Sequence, residues 1–187
     1  MHPPASADEV RIEEAKYAKM GFPGACMSYD GVPVPYPRCP AGATGQNQGK
    51  EGYPTRKLMC AVNSDGIFYT AGRGSHLGTR NDLTMSTLDD LMSSLKAGTF
   101  FPEVTFHLLD EHGASQEWHG LYTITDNGFH KWRMCQFPDT ATRLNNGACG
   151  RGRSLESVRK DVECAFGRLK ARFRVIDVGP RVQHVVF

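Results

Sequence analysis

Three acidic residues stand where a carboxylate can do chemistry. In "MSYDGVPVPY" (27–36) an apolar run reaches Asp30 and the chain turns at Gly31. In "LYTITDNGF" (121–129) a second apolar run reaches Asp126, and Gly128 lets the chain turn away. A lone aspartate at a strand end serves as a turn-former or cap. Two such strands side by side instead place two carboxylates together, the oxygen cluster that a hard cation such as Mg²⁺ needs. Without a cation the two repel, and one must take a proton. Glu163 lies beside the apolar stripe of a long helix, in line with Arg159, Phe166 and Lys170 at i−4, i+3 and i+7. That line is also what a solvated ladder of alternating charge looks like, so both readings of Glu163 stand on spacing alone.

Charge is unevenly placed. Residues 1–142 carry 12 Lys/Arg against 16 Asp/Glu, and residues 143–187 carry 10 against 4. The basic last quarter fits either a polyanion contact or a solvated helix face. Other chemistries find little support. "GKEG" lacks the Ser/Thr and the upstream glycine spacing of a phosphate-binding loop. The six cysteines are scattered without a C-x-x-C pair. Zinc on Cys39, Cys135 and Cys149 is therefore disfavoured, and a reducing compartment is expected. The first residues, "MHPPASADEV", have no signal-peptide pattern, and no run approaches the roughly 18 apolar residues of a membrane span. The reading is a non-secreted, non-membrane protein of cytosol or nucleus.

The elements that position these acids follow from periodicity. "ADEVRIEEAKYAKMG" reads as a helix closed by Gly21, and "GACMSYD" as a strand ending at Asp30. The Pro/Gly-rich stretch from Gly31 to Thr55 reads as a long loop. "KLMCAVNSDGIFYTAG" is a hairpin turning at Ser64-Asp65-Gly66. "NDLTMSTLDDLMSSLKAG" reads as one helix, capped by Asn81 or Asp82, with Leu88, Leu91, Met92 and Leu95 on one face. "EVTFHLL" and "LYTITD" are strands separated by the turn "DEHGAS". "SLESVRKDVECAFGRLKARFRVI" is the strongest helix, with Ser154 as cap and a stripe of Val158, Val162, Ala165, Phe166, Leu169 and Phe173.

Taken together, these blocks resemble the nuclease domain of PIF/Harbinger-type DDE transposases of plant and protist elements. "GFPGACMSYDGVPVPY" is similar to the family's first-aspartate block, "YTITDNGFHKW" to its second and "LESVRKDVECAFGRLKARFRVI" to its glutamate block. "RCPAG", "GKEGYPT" and "GRGSHLGTRNDLTM" resemble the blocks between. Bacterial relatives share an R-x-x-x-E-x-x-x-x-x-x-K spacing, which Arg159, Glu163 and Lys170 fit; where those relatives have a tyrosine, this chain has Glu156.

The resemblance implies an RNase H-like α/β fold, a mixed sheet flanked by helices, over residues 21–187, with 1–20 a helical lead-in. It implies Asp30, Asp126 and Glu163 as catalytic residues and ligands of two Mg²⁺ or Mn²⁺ ions, about 3.5–4 Å apart. Asp82 matches a family aspartate outside that triad, read first as a helix cap and second as a supporting residue behind the ligands. Arg159 would orient Glu163 or touch a phosphate. Arg168, Lys170, Arg172 and Arg174 would hold the DNA backbone without reading sequence. His76, His107, His119 and His130 have no role in such a site. DNA is the implied partner, with a separate Myb-like DNA-binding protein and self-association as further candidates, in the nucleus. A helix-turn-helix segment usual in the family is not in this sequence, so an incomplete copy and weak, unselective nicking are expected. A domesticated, non-cutting descendant is the other reading.

Overall fold

The structure, a computed structural model, describes residues 3–72, 74–137 and 149–180, the backbone alone over 149–154. The first helix, α1 (Ala7–Lys19), forms as its sequence predicts. The Ser6 side chain accepts the Glu9 N–H, acids fill the first turn and lysines the last. Gly21 (φ +92°) then turns the chain away. The helix is tied down by its acids: buried Glu13 accepts the Ser64 N–H, and Lys16 bridges Glu13 and Asp65.

Strand β1 (Ala25–Pro35) does not stop at Asp30 as its sequence suggested; it runs five residues further. Val32 and Val34 are buried, and pairing with β2 (Thr55–Val62) continues to Pro35 opposite Thr55. Two prolines fit there because, beyond Ser28, no second strand among the described residues pairs with β1 on its other side. A residue without an N–H is tolerated at such an open edge. The expected loop thus shrinks to Tyr36–Pro54, which holds a 3-10 turn (Ala41–Ala43) and the short helix α2 (Thr44–Asn47). The expected hairpin is present: β2 returns as β3 (Phe68–Ala71) through a turn in which Asn63 Oδ1 accepts two backbone N–H groups. The two-residue strand β4 (His76–Leu77) also pairs with β2.

The single helix expected over 81–98 is two. α3 (Asp82–Thr87) ends at Leu88, and Asp89, with extended backbone (ψ 129°), caps α4 (Asp90–Ala97) by accepting the Met92 N–H. The break leaves Leu88 outside the apolar stripe, 58% exposed, while Met92 and Leu95 are buried. Next come β5 (Thr105–Leu109) and β6 (Ser115–His119), an antiparallel pair separate from the main sheet. Then follow β7 (Tyr122–Ile124) and β8 (Cys135–Gln136). The last helices are α5 (Cys149–Arg172) and α6 (Arg174–Val178). Ser154 lies inside α5 rather than at its cap, and Phe173, at the break before α6, is 50% exposed and not part of the stripe.

The main sheet runs β3-β2-β1-β7-β8: a three-strand antiparallel meander extended by two parallel strands. Alternate residues of β2 face opposite sides. Met59 and Ala61 join Met27, Tyr29, Met85 and Met92 under α3 and α4. Cys60 and Val62 join Val32, Val162, Ala165 and Phe166 under α5. A mixed sheet with helices on both faces is the α/β, RNase H-like arrangement.

Gly24 is where this packing tolerates no side chain. Its φ is +88°, and the Phe106 ring lies 2.6 Å from where a Cβ would stand. Gly24→Ala should cost roughly 2–5 kcal/mol, from left-handed strain plus overpacking. Denaturant unfolding of the two proteins measures it; an unchanged midpoint would refute the close approach of the ring.

Candidate functional site

The parallel pairing of β1 with β7 builds the site. The last paired residues of the two strands are Ser28 and Ile124; Asp30 lies two positions further along β1 and Asp126 two positions past the end of β7, close enough for the Asp126 charge to act on Asp30. Each carboxylate accepts a backbone N–H from just beyond it in the chain. Asp30 Oδ1 accepts the Gly31 N–H at 2.7 Å, and Asp126 Oδ1 accepts the Gly128 N–H at 2.8 Å.

A third carboxylate enters between them. A Cβ on Gly31 would stand 3.7 Å from Asp82 Oδ1, and one on Gly128 3.3 Å from Asp82 Oδ2. Asp82 thus reaches from the first turn of α3 into the space between Gly31 and Gly128. It is not the helix cap: Asn81 is, accepting the Thr84 N–H. The glycines after Asp30 and Asp126 leave this room, a signal present in both "DG" and "DNG" but readable only once Asp82 is placed.

Burial raises the proton affinity of Asp30 and Asp82. Burial pushes the Asp30 carboxyl up to about 6, the Asp126 and Asp82 charges push the same way, and the Gly31 N–H and Arg159 hold it down. Burial also raises Asp82, with Asp126 adding to it and Lys57 and Lys50 opposing.

Glu163 is placed differently. Ser28 Oγ donates to the Val158 carbonyl at 3.5 Å, seating this turn of α5 on β1. Arg159 follows, largely buried, and its charge acts on Asp30. Its Nη1 also meets Glu163 Oε1 at 2.6 Å, with the Glu163 side chain 46% exposed. Arg159 therefore couples the glutamate to the aspartates. Among the described residues no group of three or more His, Cys, Asp or Glu is gathered tightly enough to hold a metal ion. The donor set suits a hard cation nonetheless: it is all carboxylate oxygen, and burial and mutual repulsion are what a bound cation would relieve.

The expected DNA-contact residues are spread out. Arg168 donates to the Gly66 carbonyl at 3.4 Å, bracing the β2–β3 turn. Two helical positions on, Lys170 points to a different side, and it is half-buried. Arg172 is exposed in the last turn of α5, and Arg174 opens α6 beyond the break. Arg143 and Arg181, and the side chains of Arg151 and Arg153, which add to the basic last quarter, lie outside the described residues, as does the Cys149 side chain.

The model of a family described as plant transposon protein matches residues 4–185. No curated protein and no solved structure matches the chain.

The strain at Asp30 has a pH signature. An acid whose folded pKa is raised binds more protons folded than unfolded, so stability falls as pH rises from about 4 to about 6. A shift of roughly two units corresponds to at most about 3 kcal/mol at neutral pH. Asp30→Asn should remove that penalty. In metal-free buffer it is expected to raise the melting temperature at pH 7.5 and to leave it nearly unchanged at pH 3.5. Equal effects at both pH values would show that Asp30 is not destabilised by its charge.

Proposed function

The chain belongs to the plant transposon protein family, and from that premise we propose that it is the metal-dependent DNA endonuclease and strand-transfer domain of a Harbinger-type DDE transposase. The observation that carries this reading is the approach of three aspartates beyond the point where β1 parts from β7: the Asp126 and Asp82 charges both act on Asp30, and Asp82 reaches towards Gly31 and Gly128. Asp30 and Asp126 would hold one or two Mg²⁺ or Mn²⁺ ions, with Glu163 completing the set from α5 and Asp82 supporting it from α3. Bound divalent cations supply the Lewis acid that makes water or a 3′-hydroxyl nucleophilic towards a phosphodiester and stabilises the leaving oxygen.

The protein's own groups do the rest. The Gly31 and Gly128 N–H groups fix one oxygen of each aspartate. Arg159 holds Glu163 and offsets the negative field at Asp30. Exposed Arg172 and Arg174 and half-buried Lys170 are available to phosphates. The reading requires DNA as substrate and a nuclear site of action; a Myb-like protein or a second copy would supply target selection. No helix among the described residues is long and apolar enough to cross a membrane.

A second reading has an observation in its favour. Glu163 is paired with Arg159, and no metal-holding group of three acids is gathered among the described residues, which would suit a transposase-derived protein that binds DNA without cutting.

Nicking of supercoiled plasmid separates the two. The active reading expects conversion to the open circle in Mg²⁺ or Mn²⁺, none in EDTA, and losses of about a hundredfold or more in Asp30→Ala, Asp126→Ala and Glu163→Ala. Binding without nicking in either metal would establish the second. For duplex binding, Lys170→Ala with Arg172→Ala should flatten the salt dependence by about 0.9 for each phosphate no longer neutralised. Arg168→Ala should act on stability instead, through its hydrogen bond to Gly66. An unchanged slope in the double variant would mean that those charges only solvate the helix.

A further inference from the structure

A groove of about 1240 Å³ lies away from the aspartates, between the β5–β6 hairpin, the end of α4 and the segment leading into β8. Its walls are aromatic: Phe22, Phe106, Trp118, Tyr122 and Trp132, so both tryptophans of the chain face it. Its charges are all of one sign. Lys96, Lys131 and Arg133 line it, and no Asp or Glu is among the described lining residues. Neither feature is visible in the sequence pattern, because β6, "SQEWH", is exposed along its whole length and has no apolar alternation.

The rings are set in place. Phe106 and Tyr122 meet edge to face at 6.3 Å. His130 stacks flat on Trp132, with centroids 4.2 Å apart at 13°, and the Lys96 ammonium stands 4.4 Å from the same ring. Trp118 differs: it is 38% exposed, with the Arg133 guanidinium 5.6 Å from its ring. Trp118 is thus a partly exposed indole with one cation against its ring, while Lys96 and Lys131 stand over Trp132 and Phe137 in the same groove.

We propose that this groove binds an unpaired stretch of DNA strand, with a base stacked on Trp118 and the flanking phosphates on Lys96, Lys131 and Arg133. Alternating aromatic platforms and cations are what single-strand sites use, since every base has a stacking face and every linkage a charge. Duplex DNA keeps its base faces covered and could use only the cations. The core of a peptide-binding groove is depleted of charge, whereas this one has three cations among its rings. A single small ligand would leave space unfilled, because sites for such ligands are about 300–1000 Å³. The groove and the acid cluster share β7: Tyr122 starts that strand, and Asp126 comes four residues later, at most about 13 Å along extended chain. A strand end frayed at one site therefore lies within reach of the other. The groove needs no metal and no cutting chemistry.

Trp132→Phe leaves Trp118 as the sole indole emitter, so its fluorescence reads the platform directly. With the whole chain in EDTA, a twenty-residue oligothymidylate is expected to quench that emission saturably, and a blunt duplex of equal length to quench it little. Lys131→Ala with Arg133→Ala should weaken binding and reduce the salt slope by about 0.7 for each phosphate no longer neutralised. Trp118→Ala, followed by anisotropy of a labelled oligonucleotide, should weaken binding at least about fivefold. If that variant misfolds by circular dichroism, the Trp132→Phe titration decides alone. No quenching, equal quenching by the duplex, or quenching only by an acidic peptide would overturn the proposal. Because EDTA suppresses nicking, this result and the nicking assay can fail independently.

Discussion

The parallel register of β1 on β7 is the interaction on which the rest of the molecule depends. It brings two partly enclosed aspartates together, and the α3 start adds a third. Left to itself such an arrangement is unfavourable, because burial and like charge both favour a protonated carboxyl. The fold must therefore supply stability elsewhere. The dense clusters on the two faces of the sheet do so, with Met27, Tyr29, Met59, Met85 and Met92 fully buried on one side and Val62, Val162 and Ala165 on the other. Strain concentrated at one sheet end while packing is complete elsewhere is the pattern expected of a working site.

The surrounding electrostatics relieve that strain without removing it. The Gly31 N–H gives Asp30 a fixed donor, and Arg159 brings a positive charge across from α5. Arg159 also meets Glu163, so one guanidinium links an exposed acid to the enclosed ones. Lys57, itself held by the Arg80 carbonyl, acts on Asp82 from β2. The balance leaves the cluster short of neutral, a surplus of negative charge that a divalent cation would complete.

Much of this was legible in the sequence where local and tertiary preferences agree. The stripe Val158, Val162, Ala165 and Phe166 announced α5 because the same residues that favour the helix are those it buries. The pattern of an apolar run, an aspartate and a nearby glycine was legible at Asp30 and Asp126, although β1 runs on past Asp30. The misreadings have physical causes. Pro33 and Pro35 read as loop because an open strand edge, which excuses a missing N–H, exists only once the sheet is assembled. Asp89 split a helix because its side chain satisfies the Met92 N–H better as a cap than as a helical residue, and burial of Met92 and Leu95 selects that register. Asp82 read as a cap because position alone cannot tell which of Asn81 and Asp82 turns its oxygen back on the helix. In α5 the helical line of Arg159 and Glu163 was visible, but not that the two would pair with each other while Arg159 also acts on Asp30.

The β5–β6 hairpin shows how an element without a core of its own is held in place. It forms a separate two-stranded sheet, and such a pair is marginal alone. Phe106 is its anchor. The ring lies on the backbone of Gly24, where β1 is about to begin, and meets Tyr122, where β7 begins. Both strands that carry the aspartates thus start against the same ring. On the same hairpin, directly opposite Phe106, stands Trp118. Cross-strand partners share a face, so the ring that fixes the hairpin to the sheet also determines which way the exposed indole points. Placing the aromatic groove and placing the acid cluster are for this reason one packing problem, solved at opposite ends of β7.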